Sequence, residues 1–347
     1  MSRRHVAPVA ARWHARWLAP TLSLLLGALL GLVPLLTSPA QAAPPSYIAL
    51  GDSYSSGTGT RSYLADGTTC QRSVYAYPSL IASARGYALN FRACSGAKIA
   101  DVTNNQLSAL SASTSYVTIS VGGNDAGFSS VLTTCAQPSW LSNCNAAIDK
   151  AQAYINNTMP GALSALYAAI RTRAPSAKVV VVGYPRIFNG TDCHLLTWFS
   201  GSEMTRLNQT ADLIDSRTAT AATGAGFSFR NPVSRFVGHA VCDSPAWLNN
   251  LSNPVSESFH PNRAGHSSGY TPLVSPVLTG SVVRVGARVL DGARSAGPDQ
   301  AALQRRYAAA DRRIQPETFR LPDLQSNRAK RVAERKGIDI DRWIATH

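Results

Sequence analysis

Three short apolar runs constrain the fold of this 347-residue chain more than any other feature. Tyr47-Ile-Ala-Leu50 stops at Gly51. The β-branched run Tyr116-Val-Thr-Ile-Ser-Val121 stops at Gly122-Gly123, and Lys178-Val-Val-Val-Val-Gly183 stops at Tyr184-Pro185. Runs of this kind fit strands buried on both faces, as in a parallel sheet, and each ends in a turn signal. Helical patterns lie between them. Ala146 to Arg171 carries Ile148, Ala151, Ile155, Leu163, Leu166 and Ile170, with Pro160-Gly161 as an interruption. Ser202 to Thr223 opens with a capping residue and sets Met204, Leu207, Ala211 and Ile214 at helical spacing. Strands alternating with helices predict a doubly wound α/β domain, in which ligands sit at the carboxyl ends of the strands. Gly51-Asp52-Ser53 and Gly122-Gly123-Asn124-Asp125 both fall at that edge.

Composition narrows the function classes. Hydrophobic residues make up 45% of the chain and charged residues 15%, against about 25% charged in ordinary soluble proteins. That excludes a disordered chain. The net charge of +14 suggests nucleic acid until it is divided along the chain. Residues 1–43 hold four arginines and no acid, residues 44–280 hold 15 basic against 11 acidic residues, and residues 281–347 hold 14 against 8. The central part is only mildly basic, with no basic stripe interleaved with aromatics, so nucleic acid is not an expected partner.

The first 43 residues read as an export signal. Arg3, Arg4, Arg12 and Arg16 precede a stretch from Leu18 to Leu36 built mostly of Leu, Ala and Gly, and Ala40-Gln41-Ala42 supplies a small-x-small cleavage site. An uncleaved anchor is less consistent with Pro20 and Pro34 inside a span of marginal length. Arg3-Arg4 alone does not decide between general and twin-arginine export. All six cysteines follow this segment, and an even count in an exported chain implies disulfides. Six cysteines allow 15 pairings. Order along the chain suggests Cys70–Cys94, Cys135–Cys144 and Cys193–Cys242. A zinc set from Cys193, His194, His239 and Cys242 is the rival, disfavoured by adjacent Cys-His spacing and an oxidising compartment.

The chemistry centres on Tyr47-Ile-Ala-Leu-Gly-Asp-Ser-Tyr-Ser-Ser-Gly57, which places Ser53 just beyond the first strand, where a helix is expected to begin. Free N–H groups at a helix start suit a nucleophile, because they also stabilise an oxyanion. An isolated Gly-x-Ser would more simply be a helix cap. Here it is followed in order by Cys94-Ser-Gly96, Gly122-Gly-Asn-Asp125 and His260-Pro-Asn262. With these four blocks, residues 46–280 resemble the SGNH (GDSL) hydrolase superfamily, most closely its secreted bacterial lipase/esterase branch with three disulfides.

The resemblance implies a flavodoxin-like three-layer sandwich with a mostly parallel sheet over residues 44–280. It implies that Ser53 is the nucleophile and His260 its base, a fit for an imidazole that titrates near working pH. The oxyanion donors would be the Ser53 N–H, the Gly96 N–H and the Asn124 amide. Many members carry an Asp three residues before the His. Glu257 stands there in this chain, one methylene longer, while the secreted branch often uses a main-chain carbonyl, here from Trp247 or Ser256–Ser258. Both remain open. Asp52 and Asp125 read as turn-holding residues.

The expected activity is two-step hydrolysis of acyl esters, of small molecules or lipids, by an exported monomer that needs no metal or organic cofactor. Polysaccharide deacetylation and a non-catalytic surface-binding role on a hydrolase fold are the alternatives. Residues 281–347, with Arg305-Arg306, Arg312-Arg313 and Arg328-Ala-Lys-Arg331, read as a basic extension of solvated helices or disorder. A weak contact with an anionic cell wall or membrane face is its sharper reading.

Overall fold

A computed structural model describes residues 42–346. The export segment assigned to 1–43 therefore lies outside the described residues, apart from Ala42 and Ala43. Residues from Ala43 onward form one compact unit.

Five strands make one sheet: β1 (Ser46–Gly51), β2 (Ala88–Phe91), β3 (Tyr116–Ser120), β4 (Lys178–Val182) and β5 (Ser228–Arg230). Their order is β2-β1-β3-β4-β5 and every pairing is parallel, the flavodoxin-like arrangement. The three apolar runs are the three central strands. Tyr47 to Leu50 and Val179 to Val182 are buried, as strands covered on both faces must be. The Tyr47 hydroxyl is accommodated in this core by a 2.8 Å hydrogen bond with the Thr118 hydroxyl. The edge strands β2 and β5 escaped the sequence reading because they are four and three residues long and carry polar residues.

Parallel crossovers are right-handed, so connections that run in opposite directions from β1 lie on opposite faces. The β1–β2 crossover carries the helix Tyr77–Arg85, which packs against Thr271–Thr279 on one face. The later crossovers carry Cys144–Asn157, Met159–Arg173 and Gly201–Gly224, packed together on the other.

Helix boundaries differ from expectation for physical reasons. The stretch 146–171 is two helices meeting at Thr158. Pro160, taken as an interruption, is the second residue of the second helix, where a missing N–H costs no intrahelical bond. The cap of the long helix is Ser200 rather than Ser202: the Ser200 hydroxyl accepts from the Glu203 N–H, and the Glu203 carboxylate accepts from the Ser200 N–H.

The C-terminal segment departs furthest from its reading. Residues 297–311 cover the exposed edge of β2. Gln300 Nε2 donates to the Leu89 carbonyl at 2.9 Å, Gln304 Nε2 to Asn90 Oδ1 at 3.0 Å, and Asn90 Nδ2 to the Tyr307 hydroxyl at 3.1 Å. An uncovered edge strand invites pairing with other chains, and this cover removes it. Asp311 is fully buried between Arg72 and Arg92, at 2.7 and 2.6 Å. Arg92 also stacks over the Tyr307 ring at 4.0 Å. The expected solvated helices are thus partly an integral layer. Spaced charges along a helix read as solvent-facing, and nothing local reveals that one of them meets two buried arginines more than 200 residues earlier. Further on, Asn327–Lys336 stops at Gly337, whose φ of +65° suits glycine, before Ile340–Thr346.

Candidate active site

The site is assembled at the carboxyl ends of β1 and β3. Gly51 ends β1 with φ +118°, and a Cβ there would run into the Ser120 carbonyl of β3, so only glycine fits. Gln106 grips its backbone in both directions, accepting from the Gly51 N–H at 2.8 Å and donating to its carbonyl at 2.9 Å. Asp52 then caps a helix of one turn, Ser53–Ser56, by accepting from the Tyr54 N–H. Its second oxygen accepts from the Tyr184 hydroxyl, which in turn accepts from the Gly123 N–H. This chain ties the loops after β1, β3 and β4 together. Burial pushes the Asp52 carboxyl up to about 7, partly offset by the Tyr184 and Tyr54 bonds.

Ser53 and His260, 207 residues apart in sequence, meet with Oγ and Nε2 2.9 Å apart. His260 Nδ1 lies 2.9 Å from the Ser258 carbonyl. A carbonyl can only accept, so Nδ1 carries the proton and Nε2 is left to accept from the Ser53 hydroxyl. Burial drives the imidazole down to about 4, with the Ser258 bond pulling weakly the other way. The neutral form, the one a general base needs, therefore prevails at neutral pH.

The Glu257 carboxylate makes its contacts away from the imidazole. Its Oε1 accepts from the Tyr63 hydroxyl, and its Oε2 lies 3.5 Å from the guanidinium of Arg61. Of the main-chain candidates, Ser258 is the one whose carbonyl lies beside Nδ1. The turn that makes this possible puts Phe259 at φ +62°, a conformation costing a bulky residue about 1–3 kcal/mol. Packing holds it there: the Phe259 ring sits against Phe188, Phe199 and Phe319, and its carbonyl accepts from the Tyr54 hydroxyl at 2.8 Å. Tyr54 thus links the residue after Ser53 to the residue before His260.

Gly96 and Asn124 complete the site. Among the described residues nothing accepts from the Gly96 N–H. The loop carrying it is held by the Cys70–Cys94 disulfide and by the Ser95 N–H donating to the Cys70 carbonyl at 2.9 Å. Asn124 Nδ2 donates one proton to the Ala97 carbonyl at 3.1 Å, which aims the amide and leaves its second proton for a ligand. Asp125 holds the neighbouring turn by accepting from the Ile99 N–H. Cys135–Cys144 and Cys193–Cys242 are also bridged, so the sulfurs of the zinc alternative are consumed. His239 instead stacks flat on Trp247, with ring centroids 3.7 Å apart.

Two cavities meet at Ser53. One is narrow and apolar, about 80 Å³, running between helices past Phe128, Leu132, Ile155, Ile187 and Ile214. The other is about 270 Å³ and more polar, and includes Gly96, Ser129, Ser258 and His260. Both touch Ser53 and Asn124, and only the second touches His260.

Residues 49–267 match the family described as GDSL-like Lipase/Acylhydrolase. The chain belongs to this family. As a member of it, the chain is a carboxylic ester hydrolase. It is 43% identical over 243 residues to Lipase 1 of Streptomyces coelicolor, covering 68% of this chain and 89% of that one. It is 44% identical over 231 residues to a lipase of Streptomyces rimosus, covering 66% and 85%. Two solved structures are similar and are each spanned completely by 69% of this chain. One is the extracellular lipase of Streptomyces rimosus, at TM-score 0.63 and 42% identity. The other is phospholipase A1 of Streptomyces albidoflavus NA297, at 0.64 and 41%. The hydrolase family match ends well before the C-terminal layer.

Tyr54, Gln106 and Tyr184 carry no sequence signal as parts of this GDSL hydrolase site. Two act through hydroxyl groups and one through an amide, and none belongs to a recurring spacing. Ser258 falls within the Ser256–Ser258 stretch that the sequence offers as a carbonyl source.

Proposed function

We propose that this hydrolase is exported and cleaves lipid esters whose acyl chain is apolar, with Ser53 as nucleophile and His260 as base. The observation that carries this is the placing of Ser53 between an apolar cavity without His260 and a polar cavity with it. The base must hand its proton to the departing alcohol, so the alcohol leaves on the His260 side and the acyl chain lies in the apolar channel. An acetyl group has no use for such a channel, which favours a fatty acyl chain over polysaccharide deacetylation.

In the first step the Ser53 hydroxyl attacks the ester carbonyl while His260 Nε2 takes its proton. The Ser258 carbonyl orients the ring and stabilises the imidazolium through Nδ1–H. The developing oxyanion is held by the N–H groups of Ser53 and Gly96 and the second amide proton of Asn124. His260 then protonates the alcohol. Water, activated by the same ring, releases the acid. Asp52 and Asp125 hold turns and take no proton in this scheme.

Export is supported by the leader's pattern and by three disulfides. Among the described residues no helix is long and apolar enough to cross a membrane. The exposed basic residues of Asn327–Lys336 would suit an anionic surface outside the cell.

The test is hydrolysis of p-nitrophenyl butyrate and laurate by purified protein. Ser53→Ala should cut turnover by about 10⁶-fold, as removal of a triad serine does. Turnover within about tenfold of wild type would sink the assignment.

A further inference from the structure

The polar cavity is not built by the family domain alone. Pro316, Glu317, Thr318 and Phe319 form one of its walls, nearly 50 residues beyond the end of the family match. The contact with the catalytic machinery is intimate. A Cβ on Gly96 would run into the Cα of Pro316, so the segment fills the space that the oxyanion-donor glycine leaves open. The Ser129 hydroxyl donates to the Glu317 carbonyl at 2.9 Å, and the Glu317 carboxylate pairs with Lys98 at 2.9 Å. Phe319 is buried with its ring 5.1 Å from that of Phe259, the residue that sets His260.

The segment is fixed at both ends rather than hinged. Upstream, Ile314 is buried and Asp311 is locked between Arg72 and Arg92. Downstream, Phe319 is inserted among aromatic rings, and the Arg320 N–H donates to Thr133 Oγ1. A cavity of about 270 Å³ remains beneath it. Its lining is rich in hydroxyls and amides, including Thr69, Gln71, Ser95, Ser256 and Thr318, and Glu317, whose carboxylate pairs with Lys98, is its one formally charged residue.

We propose that residues 315–319 form the fixed wall of the leaving-alcohol subsite, and that Glu317 makes this wall select esters of neutral polyhydroxylic alcohols, of glycerol or sugar type, over esters with anionic headgroups. This rests on the reading of Ser53 and His260 given above, since His260 defines the alcohol side. Hydroxyl and amide groups satisfy a polyol's hydrogen bonds, and a carboxylate on the half-exposed wall repels a phosphodiester. The wall is a property of this chain's C-terminal segment.

Two substrates with one acyl chain separate the headgroup from everything else: 1-lauroyl glycerol and 1-lauroyl lysophosphatidylglycerol, each assayed for kcat/KM. Wild type should prefer the glycerol ester. Glu317→Lys, at a half-exposed position, should shift the ratio toward the phosphoglycerol ester by about tenfold or more, the scale of a single subsite contact. Phe319→Ala should relax the preference on steric grounds, raising relative turnover of the bulkier headgroup. An unchanged ratio in both variants, with thermal unfolding showing them folded, overturns the wall. A wild-type preference for the anionic ester overturns the charge selection. Failure of the underlying reading looks different: wild type would cleave neither ester, or Ser53→Ala would cleave both.

Discussion

At the β2 flank Arg72, Arg92 and Asp311 are buried, and each charge meets an opposite one. At the carboxyl edge of the sheet Ser53, Asn124 and His260 are almost as deeply buried, yet their bonding capacity is held in reserve. Among the described residues, one amide proton of Asn124 and the N–H of Gly96 have no acceptor, and Ser53 Oγ meets only the imidazole. Both regions remove polar groups from water, which is costly unless partners are supplied. The flank pairs its charges within the chain, although the Nε of each arginine is left without an acceptor, and so fixes the C-terminal layer. The edge leaves donors waiting, and under the proposed mechanism a substrate's developing oxyanion is the partner that completes them. Burial alone does not mark a functional site here; unused donors facing a cavity beside Ser53 and His260 do.

The flank offers the largest effect with which to break this contrast. Both carboxylate oxygens of Asp311 pair with arginines, so we predict that Asp311→Ala strands the buried Arg92, leaves Arg72 with Asp66 alone, and destabilises the fold by about 3–5 kcal/mol. That corresponds to a fall in thermal midpoint on the order of 10 °C. A fall of less than about 2 °C would mean that the arginines are hydrated and the layer is loosely attached.

Asn124→Ala tests the opposite expectation. It removes a donor whose second proton the folded protein does not use, so kcat should fall by about 10²–10³-fold while the thermal midpoint stays near wild type. A loss below about tenfold would leave the oxyanion to the two backbone donors alone. A large drop in midpoint would place Asn124 with the structural groups instead.

The two regions also differ in how much of them the sequence disclosed. The three central strands were legible because burial on both faces requires continuous apolar or β-branched residues, and that pattern survives in one dimension. Ser53, Gly96, Asn124 and His260 were legible because each stands in a short block whose glycine or proline shapes the backbone around it. The third partner of the imidazole was narrowed only to Glu257 or a main-chain carbonyl. The group that the fold sets beside Nδ1 is the carbonyl of Ser258, a group that every residue owns, and its placement depends on the left-handed turn at Phe259. The flank was opaque for another reason. Arg72, Arg92 and Asp311 look like solvent-facing charges in any local window, and only the folded chain shows that the edge of β2 needs a cover.

The pH dependence sharpens the comparison further. Burial of His260 lowers its pKa to about 4, so the free enzyme's base is neutral above that value and is lost by protonation below it. The acid limb of kcat/KM should therefore lie near pH 4 rather than near the value of about 6.5 of a free imidazole. A limb near 6.5 would show that water reaches the ring before substrate does.

Glu257 provides the smallest expected effect and the finest discrimination. It is buried beside His260 in sequence, which makes it look catalytic, but its carboxylate is engaged by Tyr63 and Arg61 and makes no bond to the ring. Glu257→Gln keeps the shape and the Tyr63 contact while removing the charge. If the Ser258 carbonyl alone orients the imidazole, kcat should fall less than tenfold and the acid limb should stay where it is. A carboxylate orienting the ring would behave otherwise. Its neutral replacement would favour the wrong tautomer, a defect worth about 10⁴-fold when the aspartate of a serine triad is made an amide. The two outcomes are separated by orders of magnitude, so this one substitution assigns Glu257 to the structural or the catalytic set.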